Sequence, residues 1–369
     1  MSGKLLEDRR HWIALNAIPN LTPQKFTLLL DHFASPEAIW KASPDQLKTV
    51  PGFERSVETF VRHRQGLDVE GELAEIERLG LNALTLADAT YPDALRAIAH
   101  PPPVLLSKGG LVEKDRVAIA IVGTRKPSDY GRMIAEKLAK ELGERGFTVV
   151  SGLALGIDTS AHQGALASGA RTLAVLGGGF GYVYPQQNVP LVDEIAASGA
   201  VLTEFSPATK PDRWTFPQRN RVISGLTRGT IVVEAGKRSG ALITAKCAAQ
   251  QGREVFAVPG SITSVKSRGP HRLIQKGAKL IVDVDDILEE FPDLQETLGT
   301  GSERASRQDI PLPPAEQKIF DALDYEPVHF DDLVERTDAS TTEVSLALFQ
   351  LDAKGLIKEL EGKRYAKLP

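Results

Sequence analysis

Short runs of Val, Ile and Leu fill the middle of the chain, separated by segments whose apolar residues return at helical intervals. The strand-like runs are 117–122, 148–151, 172–176, 200–204, 230–234, 254–258 and 279–282. They are apolar throughout rather than alternating, which suits strands buried on both faces of a parallel sheet. Residues 133–142, 242–250 and 270–276 carry the helical period between them. Strand followed by helix, repeated over 76–290, predicts an α/β fold with a doubly wound, mostly parallel sheet.

The flanks read differently. Residues 1–75 are short helical patterns broken by Pro and Gly, with Thr22-Pro23, Ser35-Pro36 and Ser43-Pro44 as helix starts. Thr49-Val50-Pro51-Gly52-Phe53 is a tight turn between two of them, and the unit is similar to the SAM and helix-hairpin-helix group. Such a turn contacts a DNA backbone when cations lie beside it, but here Phe53-Glu54 follow, which favours a packing role. Residues 291–313 hold Pro292, Gly299, Gly301 and a Pro-rich end, and are expected to be a flexible linker. Residues 314–369 pattern as three helices (316–323, 330–336, 342–353) and a hairpin (356–360, 364–368), which spells a winged helix. Its third helix, which enters the major groove in DNA-binding members, carries Glu343 and Asp352 and no Lys or Arg. The unit has seven Lys+Arg against twelve Asp+Glu, so phosphate binding there is disfavoured and a protein-contact or structural role is expected. Lys363-Arg364 in the wing is its basic exception.

Charge sharpens the core. The whole chain of 369 residues has 44 Lys+Arg, 48 Asp+Glu and a net charge of −4, which on its face argues against a nucleic-acid partner. Residues 210–279 reverse that argument: they hold six Lys and eight Arg against Asp212, Glu234 and Glu254, a net of +11. Arg213, Arg219, Arg221 and Arg228 lie there beside Trp214 and Phe216. Cations beside exposed aromatics describe a single-strand nucleic-acid site, phosphates being neutralised while bases stack. Pro211 and Pro217 are expected to hold the aromatics in a rigid, non-helical loop. Lys246 belongs to the same basic stretch and joins the candidates. Cys247 is the one cysteine, so no intrachain disulfide or Cys-based zinc cluster can form. The N-terminus shows no apolar signal region and no uncharged run is long enough to span a membrane, so a cytoplasmic location is expected.

Familiar catalytic signatures are missing. There is no G-x-x-x-x-G-K-[ST], no G-x-S-x-G and no G-x-G-x-x-G after the first strand, so no nicotinamide or flavin cofactor is expected, and His residues form no metal-like cluster. Three strand ends are instead glycine-bearing: Gly123-Thr124-Arg125, Ser151-Gly152-Leu-Ala-Leu-Gly156 and Gly177-Gly178-Gly179-Phe-Gly181. Ligands of open α/β sheets bind outside the carboxyl ends of the strands. Three such loops on one edge suggest an extended anionic ligand, against the plainer reading of turns that need positive φ. Asp158 reads as a helix N-cap and His162 as a structural residue, while Glu234 ends its strand where catalytic carboxylates are often found.

The chain resembles the DNA-processing protein DprA (Smf) family. The matching stretches run in order over 85–285: Tyr91-Pro92, Pro102-Pro103-Val104-Leu105, Ile121-Val122-Gly123-Thr124-Arg125, Ser151-Gly152 to Asp158 and Ala161-His162, Gly177-Gly178-Gly179, Tyr184-Pro185 and Asn188. Phe216-Pro217-Gln-Arg219-Asn220-Arg221-Val-Ile223-Ser-Gly225-Leu226, Glu234-Ala235, Ser239-Gly240 to Ala245, Val258-Pro259-Gly260-Ser261 and Leu273-Ile274 complete them. The resemblance implies a Rossmann-like core. It also implies a non-enzymatic protein that binds and protects incoming single-stranded DNA, loads the RecA recombinase during natural transformation, and forms homodimers through the core. It implies that Arg125 binds phosphate, that Arg213 and Phe216 contact phosphate and stack a base, and that Asn220, Ser239 and Gly240 complete the pocket wall. Gln186 stands where the family often has Lys, which removes one phosphate contact. The competing reading is a nucleoside-monophosphate phosphoribohydrolase of the lysine-decarboxylase-like group, whose P-G-G-x-G-T-x-x-E motif is matched here only by Glu234-Ala-Gly-Lys-Arg-Ser-Gly-Ala-Leu-Ile-Thr, without the trailing Glu.

Overall fold

A computed structural model describes residues 9–294, 312–325 and 327–367. The first helices are α1 (Arg10–Asn16), α2 (Pro23–Phe33), α3 (Pro36–Lys41), α4 (Pro44–Lys48), α5 (Val57–Gly66) and α6 (Val69–Arg78). Thr22, Ser35 and Ser43 cap α2, α3 and α4 with their hydroxyls, each ahead of Pro at the first helical position. The 49–53 turn follows α4, with Gly52 at φ 84° and Phe53 fully buried in the module's own core. Helix α6 runs across the expected boundary at 75, and Leu73 and Ile76 pack with Ile13 of α1 against the first strands of the sheet.

The core continues with β1 (Asn82–Thr85), α7 (Asp93–Arg96), β2 (Val104–Gly109), β3 (Ala118–Val122), α8 (Asp129–Glu144), β4 (Thr148–Ser151), α9 (Ile157–Ala167), β5 (Thr172–Val175), α10 (Val189–Ser198) and β6 (Ala200–Thr203). It ends with α11 (Thr215–Gly225), β7 (Gly229–Val232), α12 (Ala241–Gln250), β8 (Glu254–Ala257), α13 (Arg268–Ile274), β9 (Lys279–Leu280) and α14 (Asp285–Leu288). The nine strands order as β1-β2-β6-β5-β4-β3-β7-β8-β9. All neighbours are parallel except β1 with β2 and β2 with β6. The fold is thus the expected Rossmann-like, doubly wound sheet, with a two-strand antiparallel end that the apolar runs did not announce. Strand β3 explains the lack of alternation: Ile119 and Ile121 face one apolar layer with α8 and α9, while Ala118, Ala120 and Val122 face another with α11 and α12. The chain leaves β3 in both directions, toward β4 on one side and β7 on the other, so the topological switch point lies at the carboxyl ends of β3 and β7.

The second unit comprises α15 (Pro314–Ala322), β10 (Val328–His329), α16 (Phe330–Thr337), α17 (Thr341–Ala353), β11 (Ile357–Leu360) and β12 (Arg364–Lys367). Its strands order as β10-β12-β11, a winged helix with its own apolar core. Most of the expected linker, and residue 368 of the expected last strand, lie outside the described residues. Of the wing's basic pair, Lys363 is exposed and Arg364 is turned to the core, 3.5 Å from Asp129; Lys358 of β11 lies 3.8 Å from Glu136, both acids being on α8.

Candidate nucleic-acid interface

A cleft of about 410 Å³ opens at the switch point. Gly123, Thr124 and Arg125 reach it from the end of β3, Ala154 from the loop after β4, Asp158 from the first turn of α9, and Phe216, Arg219, Asn220 and Ile223 from α11. Gly236, Arg238, Ser239, Gly240, Ala241 and Thr244 close it from the loop after β7 and the first turn of α12.

Phe216 is the centre of the constellation. It lies in the first turn of α11, not in an irregular loop: the helix begins at Thr215 and absorbs Pro217, whose missing N–H is an unpaired position there anyway. The exposed Arg125 guanidinium stacks on the Phe216 ring at 5.1 Å, and Arg219 lies 6.0 Å from it. Tyr184 meets the same ring edge-on at 6.2 Å. A half-buried ring with a cation beside it can stack a base while a phosphate takes the cation. Helix α12 follows Gly240, and the positive end of its dipole faces the same space, although its first amides are taken: Ala241 donates to Ser239 Oγ at 3.4 Å, Leu242 to Ser239 O at 3.1 Å and Ile243 to Gly240 O at 2.9 Å.

The Arg125 loop is held from behind. The Glu234 carboxylate, almost wholly buried, accepts from the Ser128 amide at 2.8 Å and the Ser128 hydroxyl at 2.6 Å, and the Glu234 carbonyl accepts from the Thr124 amide at 2.7 Å. Both carboxylate oxygens are therefore spent on positioning that loop.

Arg219 is a strut rather than a free cation. Only 5% exposed, it donates to the carbonyls of Gly152 and Val175 and to Asn220 Oδ1. Burial pushes its pKa down to about 10, with Asp158 opposing that shift. A Cβ at Gly152 would run into this guanidinium, which is why glycine stands there. Asp158 is not the N-cap of α9; that place is taken by Gly156 (φ 85°), and Asp158 is the second helical residue. Its carboxylate accepts from the Gly152 and Ala154 amides at 3.1 and 3.4 Å. Burial raises its pKa, against the pull of Arg219. Among the expected glycines, positive φ is confined to Gly156; close approach of neighbours explains the others better than turn geometry. His162 is buried and structural: the Thr172 hydroxyl donates to Val149 O at 2.8 Å, so the ring donates Nδ1–H to Thr172 at 2.7 Å. Burial holds His162 neutral, its pKa down at about 3.

The chain's place among known proteins follows from three comparisons. The model of the family described as DNA recombination-mediator protein A matches residues 82–292, more than half of the chain. The chain belongs to that family. The family's winged-helix model matches residues 303–363. Protein Smf of Synechocystis sp. is 35% identical over 98% of this chain and 99% of its own length. DNA processing protein DprA of Bacillus subtilis is 42% identical over 69% of this chain and 89% of its own. Among solved structures, DprA of Streptococcus pneumoniae superposes with a TM-score of 0.65 at 36% identity, covering 77% of this chain and 97% of that one. DprA of Helicobacter pylori, whose single-stranded DNA binding mode was described, gives 0.51 at 28% identity over 58% and 96%.

Against this family frame, the sequence-derived candidates divide. Gly123, Thr124, Arg125, Phe216, Arg219, Asn220, Ser239 and Gly240 meet in the cleft. Ser151 and Gly152 lie beneath it, Ser151 donating to Ile121 O at 2.6 Å. Gly178 and Gly179 are packed under the 206–211 segment, and Arg213 lies exposed beyond the rim. Arg221 points away into a buried ion pair with Glu204, and Lys246 lines a different groove with Arg272 and Lys276. The +11 stretch is accordingly not one patch: Arg228 pairs with Asp293 and Lys279 with Glu289 and Glu290. The sequence reading overlooked Arg238, which lines the cleft, and Glu234 and Ser128 as the latch of the Arg125 loop. Lys237-Arg238 between two glycines at a strand's end was the available signal for Arg238.

Among the described residues no helix is long and apolar enough to cross a membrane.

Proposed function

We propose that this family member binds single-stranded DNA in the cleft at the switch point, protects it, and hands it to the RecA recombinase during natural transformation, acting as a homodimer formed through the Rossmann-like core and without catalysis of its own. The observation that carries the reading is Phe216, a half-buried ring with the exposed Arg125 guanidinium on it at 5.1 Å, next to the first turn of α12. That set offers a stacking surface, a cation and the positive end of a helix dipole, which is what a nucleotide needs. The kinship with DprA of H. pylori, whose single-stranded DNA binding mode was described, supports it. Arg125 contacts phosphate, Phe216 stacks a base, Asn220, Ser239 and Gly240 form the wall, and Arg238 adds a second cation.

The hydrolase reading draws no support from the cleft. Its carboxylate at the end of β7, Glu234, has both oxygens committed to Ser128. The exposed third helix of the winged unit, without a cation, supports a role for that unit other than reading DNA.

The test is oligo-dT binding by fluorescence polarisation over a salt series. Arg125→Ala and Phe216→Ala should each weaken binding about tenfold, the loss of one stacked base or charge contact being worth about 1–3 kcal/mol. Arg125→Ala should also flatten the salt dependence by about 0.7 in log–log slope. Lys246→Ala, in the separate groove, is the control and should leave affinity unchanged. Wild-type affinity in both cleft variants refutes the site; release of a free base from a nucleoside monophosphate refutes the non-enzymatic reading. RecA hand-over is measured as RecA ATP hydrolysis on oligo-dT already covered by single-strand-binding protein.

A further inference from the structure

We infer that Trp214 and Tyr182, outside the cleft, form a second stacking platform that carries the next stretch of the same strand. The inference rests on the single-strand reading above and extends it from one pocket to a track.

Trp214 is 66% exposed, Tyr184 51% and Tyr182 43%, although large aromatic rings are ordinarily covered. Each of the two outer rings has its own cation. The Arg213 guanidinium lies 4.9 Å from the Trp214 ring, and Lys210 Nζ lies 5.3 Å from the Tyr182 ring. Neither Lys210 nor Arg213 has an ion pair among the described residues, so both charges are free for phosphate. Tyr184 links the platform to the cleft through its edge-on contact with Phe216. The pairing of ring and cation thus recurs outside Phe216, and stacking on such rings tolerates any base.

The platform is rigid, which separates it from a loop that merely happens to be aromatic. Segments 177–181 and 206–215 are zipped together: the Gly179 amide donates to Thr209 O at 2.8 Å, the Gly181 amide to Pro207 O at 3.0 Å, and the Thr215 hydroxyl to Gly177 O. The Asp212 amide donates to Thr215 Oγ at 3.0 Å, which fixes the approach to Trp214. A Cβ at Gly179 would collide with the carbonyls of Ser206 and Pro207, so the glycine run exists to let these two loops touch. The backbone that carries the rings and cations is therefore placed before the strand arrives, which lowers the ordering cost at binding.

The chain supplies its own probe. It has three tryptophans; Trp12 is stacked on Phe26 at 5.5 Å and Trp40 is half-buried, so Trp214 is the one most open to a base. Oligo-dT should quench wild-type tryptophan emission, and Trp214→Phe should abolish most of that quench. Trp214→Ala should weaken binding about tenfold for oligo-dT of about twenty nucleotides and not at all for one of about five, with Tyr182→Ala acting in the same direction. An abasic oligonucleotide of the longer length should show no difference between wild type and Trp214→Ala. Equal affinity of Trp214→Ala and wild type at both lengths, or an equal loss at both lengths, overturns the second platform. Failure of the cleft is a separate result: undiminished short-oligonucleotide binding by Phe216→Ala and Arg125→Ala.

Discussion

Arg219→Met separates a strut from a ligand contact. The native guanidinium is buried and donates to Gly152 O, Val175 O and Asn220 Oδ1, while Asp158 sits in the same buried space. Methionine keeps most of the stem volume and removes every donor. Two carbonyls and a buried carboxyl then lose their cation, and breaking such an arrangement from one side costs about 3–5 kcal/mol. Against a total stability of about 5–15 kcal/mol this is a large fraction. With an m-value of about 2–3 kcal/mol/M it lowers the urea midpoint by roughly 1.5 M. Adding Asp158→Asn should recover about 1–2 kcal/mol, because the uncompensated carboxyl is gone while its oxygen still accepts from Gly152 and Ala154. The assay is urea denaturation followed by far-UV circular dichroism, with oligo-dT affinity measured in parallel under native conditions. An unchanged midpoint together with lost affinity would refute the argument and return Arg219 to the DNA-contacting role the sequence suggested.

Two further outcomes follow from the same contacts. Glu234→Gln keeps an acceptor for the Ser128 amide and should cost about 1–2 kcal/mol, whereas Glu234→Ala should cost about 2–4 and weaken oligo-dT binding through the unlatched Arg125 loop; equal binding by the Ala variant would sink the latch. His162 has its folded pKa lowered to about 3 from 6.5, so its contribution is complete above about pH 6.5 and is lost as pH falls toward 3, at about 1.4 kcal/mol per unit. His162→Gln should flatten that part of the acid limb relative to wild type, and parallel limbs would show that His162 is not buried neutral.

The parallel strands were legible because each is buried on both faces and so reads as an unbroken apolar run. Strands β1 and β2 were not: β1 is four residues with exposed and buried positions mixed, and β2 is apolar only over Val104, Leu105 and Leu106, its buried Ser107 and the following Lys108 and Gly109 cutting the run short. Two-residue strands such as β9 and β10 fall below any pattern. In the site, Arg125 and Phe216 could be found from a glycine-rich strand end and an aromatic among cations. What sequence could not tell was which arginines are spent inside the protein. Arg219 and Arg221 lie two apart on α11, which turns them to different faces, one under the cleft and one onto Glu204. Net charge counts both as surface, and neither is. Glu234 drew attention as a strand-end carboxylate, but its partner Ser128 is 106 residues earlier and no spacing connects them.

Helix α6 has a consequence for how the molecule comes apart. Its Val69, Leu73 and Ile76 lie with Ile13 of α1 in the layer over β1 and β2, its Glu70 pairs with Arg10, and α1 reaches the module's own core through Leu15. Arg9 and Asp88 pin the same seam with an ion pair at 2.6 Å. The helices before residue 75 are thus no bead on a string. They should melt with the antiparallel end of the sheet as one cooperative unit, while the parallel strands around β3 protect their amides longest. A protease given limited access should leave this junction intact, because cutting it requires opening the sheet's own edge.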